Sequence, residues 1–195
     1  MANKVLVFGA TGKQGGACVD ALLAGKQCEV HAIVRKTESP AAKALQARGV
    51  ILHQGDFKSK ESMEAAMRNG QCNAVFLMTA YHPFKNNKPK AETAQGMSAI
   101  DAIAAVNPNA FVFFTSVAGA GKSPAAVTHI SAKGLIEAHL KQSAIKRWFI
   151  LRPTAFYESV DDKANGNPLK KGKVKYLTRA EATVAYVSIV DIGHA

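Results

Sequence analysis

The 195-residue chain has few cysteines, few acidic residues and no long apolar run. Its three cysteines, Cys18, Cys28 and Cys72, form neither a Cys-x-x-Cys pair nor a metal-ligand spacing, so we interpret them as reduced, structural thiols. No segment is apolar for long enough to cross a bilayer, and the N-terminus lacks the apolar stretch of a secretory signal. These absences predict a cytoplasmic protein without a metal, with the nucleus as a second compartment.

Acidic residues are outnumbered, with 14 Asp and Glu against 25 Lys and Arg and a formal net charge of +11. Much of the excess lies in two stretches, 85–90 and 163–179, whose Asn, Gly and Pro content is typical of solvated loops. Neither stretch has aromatic residues interleaved with cations, and the chain shows no recognisable nucleic-acid-binding module. The charge therefore predicts no nucleic-acid partner, and the open alternative is an anionic partner or a cofactor phosphate.

Short apolar runs alternate with helical patterns along most of the chain, at a length suited to one compact domain. The predicted strands are 4–8, 29–34, 50–53, 74–78, 110–114 and 148–151. The predicted helices are 14–24, 40–49, 60–69, 91–106 and 131–142. Strands and helices that alternate in this way predict an α/β fold with a doubly wound parallel sheet, the Rossmann arrangement.

Three glycines stand where the first strand meets the first helix, in the stretch VLVFGATGKQGG. Such a loop lets backbone N–H groups approach a phosphate, and the helix dipole adds positive charge. The spacing Gly-x-x-Gly-x-x-Gly differs from the common Gly-x-Gly-x-x-Gly pattern, so a merely tight turn is the alternative. The residues predicted to bind the pyrophosphate are Gly9, Thr11, Gly12, Lys13, Gln14 and Gly15.

In a doubly wound sheet the ligand lies at the carboxyl ends of the strands. Arg35 and Lys36 follow the second strand, where an NAD-binding protein would place an acidic residue on the adenosine ribose. Two cations there suit a 2′-phosphate and favour NADP(H). Further cofactor contacts are predicted after the third, fourth and sixth strands, at Asp56, Phe57, Thr79, Ala80, Tyr81, Ala155, Phe156, Tyr157 and Glu158.

Several motifs, in this order, resemble the NmrA-like family of atypical short-chain dehydrogenase/reductases: GATGKQGG, AIVR, GDF, LMTAYH, HISAKGLIE and LRPTAFYES. The resemblance implies an NADP(H)-binding Rossmann domain over 1–157. It also implies that 158–195 begins a smaller C-terminal substrate or partner region, most of which is missing from this sequence. Apolar surface exposed in this way would favour a protein partner or a homodimer.

The resemblance also draws attention to His129, Lys133 and Ser116 as catalytic candidates. Ordinary short-chain dehydrogenases carry Tyr and Lys four residues apart; the Lys binds the nicotinamide ribose and lowers the pKa of the Tyr, while a Ser orients the substrate carbonyl. Here Lys133 and Ser116 occupy the matching positions, but His129 replaces the Tyr. A histidine can act as a general acid, and a packing role for it is the alternative.

Two functions are consistent with these features. The first is an NADP(H)-binding redox sensor or regulator that acts through protein partners, as the resemblance and the loss of the Tyr suggest. The second is an NADPH-dependent reductase of a quinone or similar small acceptor, in which hydride passes directly to the substrate. Aromatic side chains predicted near the nicotinamide support this alternative: Tyr81, His82, Phe156 and Tyr157.

Overall fold

A computed structural model describes residues 3–79, 89–122, 128–160, 172 and 183–195. Its six main strands are β1 (Asn3–Phe8), β2 (Cys28–Val34), β3 (Ile51–Gln54), β4 (Ala74–Met78), β5 (Phe111–Thr115) and β6 (Arg147–Leu151). Five helices follow the first five strands in turn: α1 (Lys13–Gly25), α2 (Pro40–Ala47), α3 (Lys60–Gly70), α4 (Pro89–Val106) and α5 (Thr128–Gln142). Each predicted strand and helix is present, with ends displaced by up to three residues.

The six strands form one parallel sheet in the order β3-β2-β1-β4-β5-β6. The chain starts in the middle, builds outward to β3, then returns to the centre and builds toward β6. This order is that of a Rossmann fold, so the predicted fold class is confirmed. The reversal between β1 and β4 creates the crevice at which such sheets bind ligands.

Both faces of the sheet are covered, which explains the continuously apolar strands. Successive β1 residues point to opposite faces, and Leu6, Val7 and Phe8 are all at most 1% exposed. One core, which includes Phe8, is completed by residues of α3, α4 and α5; the other, which includes Val7, is completed by residues of α1 and α2. Within the described ranges, every helix is too short or too polar to cross a bilayer.

Local sequence signals set several helix ends. Ser39 caps α2 by accepting a hydrogen bond from the Ala42 N–H at 3.3 Å, and Pro40 occupies the first turn. Ser59 caps α3 through the Ser62 N–H at 3.1 Å.

All three cysteines are free thiols, and burial raises the pKa of Cys18 and Cys72 to about 12. Unreactive, structural thiols are therefore the fitting description of these two residues.

The described residues after the sixth strand lie against the sheet domain. A short strand β7 (Ala155–Phe156) pairs in parallel with β8 (Tyr186–Val187), and a final helix α6 (Ile189–His194) packs on α1. A side chain at Gly193 would lie 2.5 Å from the carbonyl oxygen of Ala17, so glycine permits this close approach. The domain boundary at 157/158 stays a prediction. The two basic stretches, 85–90 and 163–179, fall almost wholly outside the described residues.

Candidate dinucleotide site

The glycine loop between β1 and α1 combines packing needs with an open helix start. Gly9 has φ +69°, and a Cβ at this position would collide with the sulfur of Met78. A Cβ on Gly15 would collide with the backbone of Gly9, because α1 approaches the loop closely there. The architecture of the fold therefore requires both residues to be glycine.

Gly12 differs from the other two glycines. It is exposed, its backbone is extended, and an added Cβ would lie 3.2 Å from the Gly9 carbonyl oxygen, a tight contact rather than a collision. It is the N-cap of α1, yet no side chain caps the helix, and the first turn holds no acidic residue. The first N–H groups of a helix have no intrahelical partner. This start of α1 is therefore left able to receive an anion.

Three polar side chains surround this helix start. Thr11 and Lys13 are exposed, and the Lys13 ammonium donates to the backbone carbonyl of Glu158 at 3.2 Å. The Gln14 side-chain oxygen is buried and has no hydrogen-bond partner among the described residues. The loop after β6 is thus tied to the start of α1, at the edge predicted from sequence.

Arg35 and Lys36 lie directly after β2, and both side chains are exposed. Since β1 and β2 are parallel neighbours with Phe8 opposite Ile33, the two cations lie at the same edge of the sheet as Gly12. The cationic pair and the start of α1 are two groups at this edge that can each bind an anion. This is the arrangement that a dinucleotide with an extra phosphate on its adenosine ribose requires.

The candidates after β3 have contacts within the protein. The Asp56 carboxylate accepts a hydrogen bond from the Lys58 N–H at 2.9 Å and so supports its own turn. The Phe57 ring packs against Phe8, with centroids 5.2 Å apart. Both residues lie at the predicted edge, and part of each side chain contributes to local structure.

The segment after β6 joins this edge to α6. Ala155 and Tyr157 are exposed, Phe156 is half-buried, and the Tyr157 ring stacks on Tyr186 with centroids 5.3 Å apart. The Glu158 carboxylate accepts hydrogen bonds from the Ser188 hydroxyl and the Ile189 N–H, both at 2.9 Å. Burial opposes its charged form, but hydrogen bonds from its own backbone N–H, from the Ile189 N–H and from the Ser188 hydroxyl, together with the Lys13 charge, hold the pKa of Glu158 below its ordinary value. Glu158 thus fixes the start of α6.

Lys133 on α5 reaches into the carboxyl edge between β4 and β5. Its ammonium donates to the Thr79 hydroxyl at 2.7 Å and to the carbonyls of Thr79 and Thr115 at 3.3 Å. A carboxylate oxygen of Glu92 lies 3.3 Å away, and the Thr79 hydroxyl donates to that oxygen at 2.9 Å. Burial lowers the pKa of Lys133, although the Glu92 carboxylate acts in the opposite direction.

Glu92 is a site residue that the sequence reasoning missed. It lies in the first turn of α4, and its side chain is fully buried. The available signal was a carboxylate, one of two with Asp101, on an alanine-rich helix. Such a residue reads equally well as a solvated helix start, so only the packed structure distinguishes the two.

Ser116 has a buried partner of its own. Its hydroxyl donates to Glu137 at 2.5 Å, and the same carboxylate binds the Arg152 guanidinium through two nitrogens at 2.9 and 2.5 Å. Burial favours the neutral acid, yet the bonds from Arg152 and Ser116 keep the pKa of Glu137 below its ordinary value. The network joins the ends of β5 and β6 to α5.

Some predicted site residues lie outside the described part of the chain. These are Ala80, Tyr81 and His82 and the side chain of His129. The backbone of α5 does contain both 129 and 133, so the two positions are about one turn apart.

The sheet order, the open start of α1 and the cations after β2 define the class of a Rossmann-type dinucleotide-binding protein. The sequence model of the NmrA-like family matches residues 1–193, and the chain belongs to this family. The oxidoreductase notA from Aspergillus sp. (strain MF297-2), an NmrA-like protein, is 43% identical over 99 residues, which are 51% of this chain and 29% of that protein.

Solved structures share the fold. Triphenylmethane reductase from Citrobacter sp., solved with NADP(H), superposes with a TM-score of 0.76 at 20% identity, over 98% of this chain and 63% of that one. The NADPH-dependent quinone oxidoreductase QOR2 from Escherichia coli, solved with NADPH, gives 0.66 at 24% identity, over 86% and 54%. The chain therefore spans less than two thirds of these proteins.

Proposed function

We propose that this chain binds NADP(H) at the carboxyl edge of its sheet and acts as a redox sensor or regulator through protein partners. The start of α1 around Gly12 would hold the pyrophosphate. Arg35 and Lys36 would hold the 2′-phosphate, and Lys133 the nicotinamide ribose. Family membership supports this assignment, and so does the presence of NADP(H) in structures with the same fold.

The fit of the cofactor can be judged from Gly12. Packing requires glycine at Gly9 and Gly15, whereas at Gly12 an added Cβ would make a single tight contact, 3.2 Å from the Gly9 carbonyl oxygen, and the helix start has no side-chain cap. A glycine that packing does not demand is explained by close approach of a ligand to the backbone. The residues present therefore fit a bound pyrophosphate.

One observation favours a sensor over a dehydrogenase: the hydroxyl of Ser116, the residue expected to orient a substrate carbonyl, donates its hydrogen bond to the buried carboxylate of Glu137. In addition, the position of the Tyr of ordinary dehydrogenases is occupied by His129. Binding without proton transfer is what these residues support.

Protein partners are part of the proposal. β6 is an edge strand of the main sheet, and its Trp148 and Phe149 side chains are 39% and 46% exposed. Within the described part of the chain β6 pairs with β5 alone, and apolar side chains on such an edge strand favour association. A regulator could use this edge for a partner protein, and a homodimer could use it as well.

The alternative is an NADPH-dependent reductase of a quinone or similar acceptor. The names of the relatives, which are oxidoreductases and reductases, favour it. Bound NADPH would supply the hydride. The chain would then need to bind and orient the acceptor without a tyrosine, using the exposed Tyr157 and the loop after β4.

Steady-state NADPH oxidation with a panel of quinones and aldehydes separates the two functions. We expect no turnover above the rate without protein, and we expect His129→Phe to retain NADP(H) affinity within a few-fold. A general acid contributes typically about 10² to 10⁴-fold in rate. Robust turnover that collapses in His129→Phe and returns in part in His129→Tyr would establish the reductase instead.

A further inference from the structure

Glu92 is a carboxylate in the interior of the protein, 0% exposed, in the first turn of α4. Its Oε1 atom accepts a hydrogen bond from the Thr79 hydroxyl and lies 3.3 Å from the Lys133 ammonium. Its Oε2 atom is buried and has no hydrogen-bond partner among the described residues. A buried carboxylate with one oxygen unsatisfied is costly, so its presence calls for a specific role.

We infer that Glu92 is the positioning residue of Lys133: with Thr79, it holds the ammonium at the cofactor edge and keeps it charged, so that NADP(H) affinity depends on Glu92 through Lys133. This inference rests on the proposed function, in which Lys133 binds the nicotinamide ribose. Glu92 is therefore a determinant of the site that acts through a second residue.

The surroundings of Lys133 support this role. Its ammonium faces Glu92 from α4, the hydroxyl and carbonyl of Thr79 after β4, and the carbonyl of Thr115 from β5. The Phe114 ring, also from β5, has its centroid 5.3 Å from the same nitrogen. Within the described chain, Glu92 supplies the negative charge in this set. The other groups orient the ammonium, but they carry no charge that would balance it.

The geometry also separates positioning from simple packing. The Thr79 hydroxyl donates to Glu92 and accepts from Lys133, so it fixes the distance between the two charges. A helix start favours a carboxylate in its first turn, and Glu92 lies in the first turn of α4. Removing the charge of Glu92 would leave Lys133 buried beside neutral groups, and burial alone favours the neutral amine.

The test measures NADP⁺ affinity by calorimetry from pH 7 to 10.5 for the wild-type chain and Glu92→Gln, which keeps the shape and a hydrogen-bonding oxygen. In the wild type, affinity should weaken in alkali as Lys133 loses its proton. In Glu92→Gln this weakening should begin at least about one pH unit lower, so that affinity at the intermediate pH falls about tenfold. Asp101→Asn removes a charge from the same helix at an exposed position, where the carboxylate contacts His139 of α5 at 2.7 Å, and should leave the profile unchanged.

A purely structural Glu92 would leave the pH profile of Glu92→Gln superimposed on that of the wild type, and that result would overturn the inference. If Glu92→Gln does not fold, Thr79→Val removes the linking hydroxyl and should shift the profile in the same direction by less; an unshifted profile would again overturn it. Lys133→Met reports on the proposed function separately. If that variant binds NADP⁺ as tightly as the wild type, the ribose contact itself is wrong.

Discussion

At the scale of single residues, the proposal assigns the preference between NADP(H) and NAD(H) to Arg35. Replacing it with alanine should weaken NADP⁺ binding by about 1 to 3 kcal/mol, the range for charge-assisted hydrogen bonds to a phosphate, and leave NAD⁺ binding nearly unchanged. Calorimetry with both nucleotides checks this. The control is Arg48→Ala. Arg48 is an exposed arginine that lies away from this edge and pairs with Asp20 at 2.5 Å. Equal losses for the two nucleotides would argue against a 2′-phosphate contact.

Residue positions were predictable from sequence where spacing carried the information. Lys133 lies at the cofactor edge because its place on the fifth helix follows from the order of elements. Glu92 and the partner of Ser116 were not predicted, since burial of a carboxylate depends on how α4 and α5 pack against the sheet. The spacing of His129 and Lys133, four apart, did place both positions on one helix face, but spacing cannot reveal that Glu137 and Arg152 complete a network around Ser116.

At the scale of elements, the β1–α1 junction separates binding from folding. Gly12→Val should fold, because the backbone there is extended and the nearest contact is 3.2 Å, but its side chain should block the helix start and abolish NADP⁺ binding. Gly15→Ala should lower the free energy of unfolding by about 1 to 3 kcal/mol, because its Cβ meets the backbone of Gly9. Urea denaturation and calorimetry on both variants test this pair. A Gly12→Val protein that still binds NADP⁺ would move the site elsewhere.

Strands β2 and β3 contain a histidine pair, with His31 buried and His53 half-buried, that should make stability depend on pH. The Nδ1 atom of His31 lies 2.9 Å from Nε2 of His53, and its Nε2 lies 2.8 Å from the Glu29 carboxylate, which also pairs with Lys4. Burial, with a contribution from His31, lowers the pKa of His53 below its ordinary 6.5. The folded chain therefore binds this proton more weakly than the unfolded chain, and the stabilisation present above that value is lost on acidification.

The measurement is the urea midpoint at pH values from 7.5 to 5. It should fall as the pH drops below about 6.5, and His53→Gln should show a smaller fall over the same range. A wild-type midpoint that rises on acidification would show that the pair is stabilised by protonation, contrary to this account.

At the scale of the whole molecule, the doubly wound parallel sheet with its six strands followed from the sequence because each strand is a short apolar run between helix signals. The last part of the chain was less predictable. α6 packs on α1 through Gly193, and its first N–H, that of Ile189, donates to the Glu158 carboxylate more than thirty positions upstream. Contacts between segments so far apart leave no periodic signal in the sequence.

Binding of the cofactor should raise the stability of the folded chain. A ligand at about 100 times its dissociation constant adds about 2.7 kcal/mol to stability, and in a chain of this size that corresponds to a rise in Tm of about 5 to 10 °C. NADP⁺ should produce this rise in a thermal scan, NAD⁺ at the same concentration a smaller one, and Gly12→Val none with either. A rise of the same size in Gly12→Val would indicate binding away from the helix start.

The central claim is that NADP(H) binds across the carboxyl edge, with its phosphates at the start of α1 and after β2. A crystal structure of the chain with NADP⁺ tests it most directly. The account predicts the pyrophosphate against the backbone N–H groups that follow Gly12, the 2′-phosphate on Arg35 and Lys36, and the nicotinamide ribose on Lys133. A nucleotide bound elsewhere, or bound here with its 2′-phosphate away from Arg35 and Lys36, would contradict it.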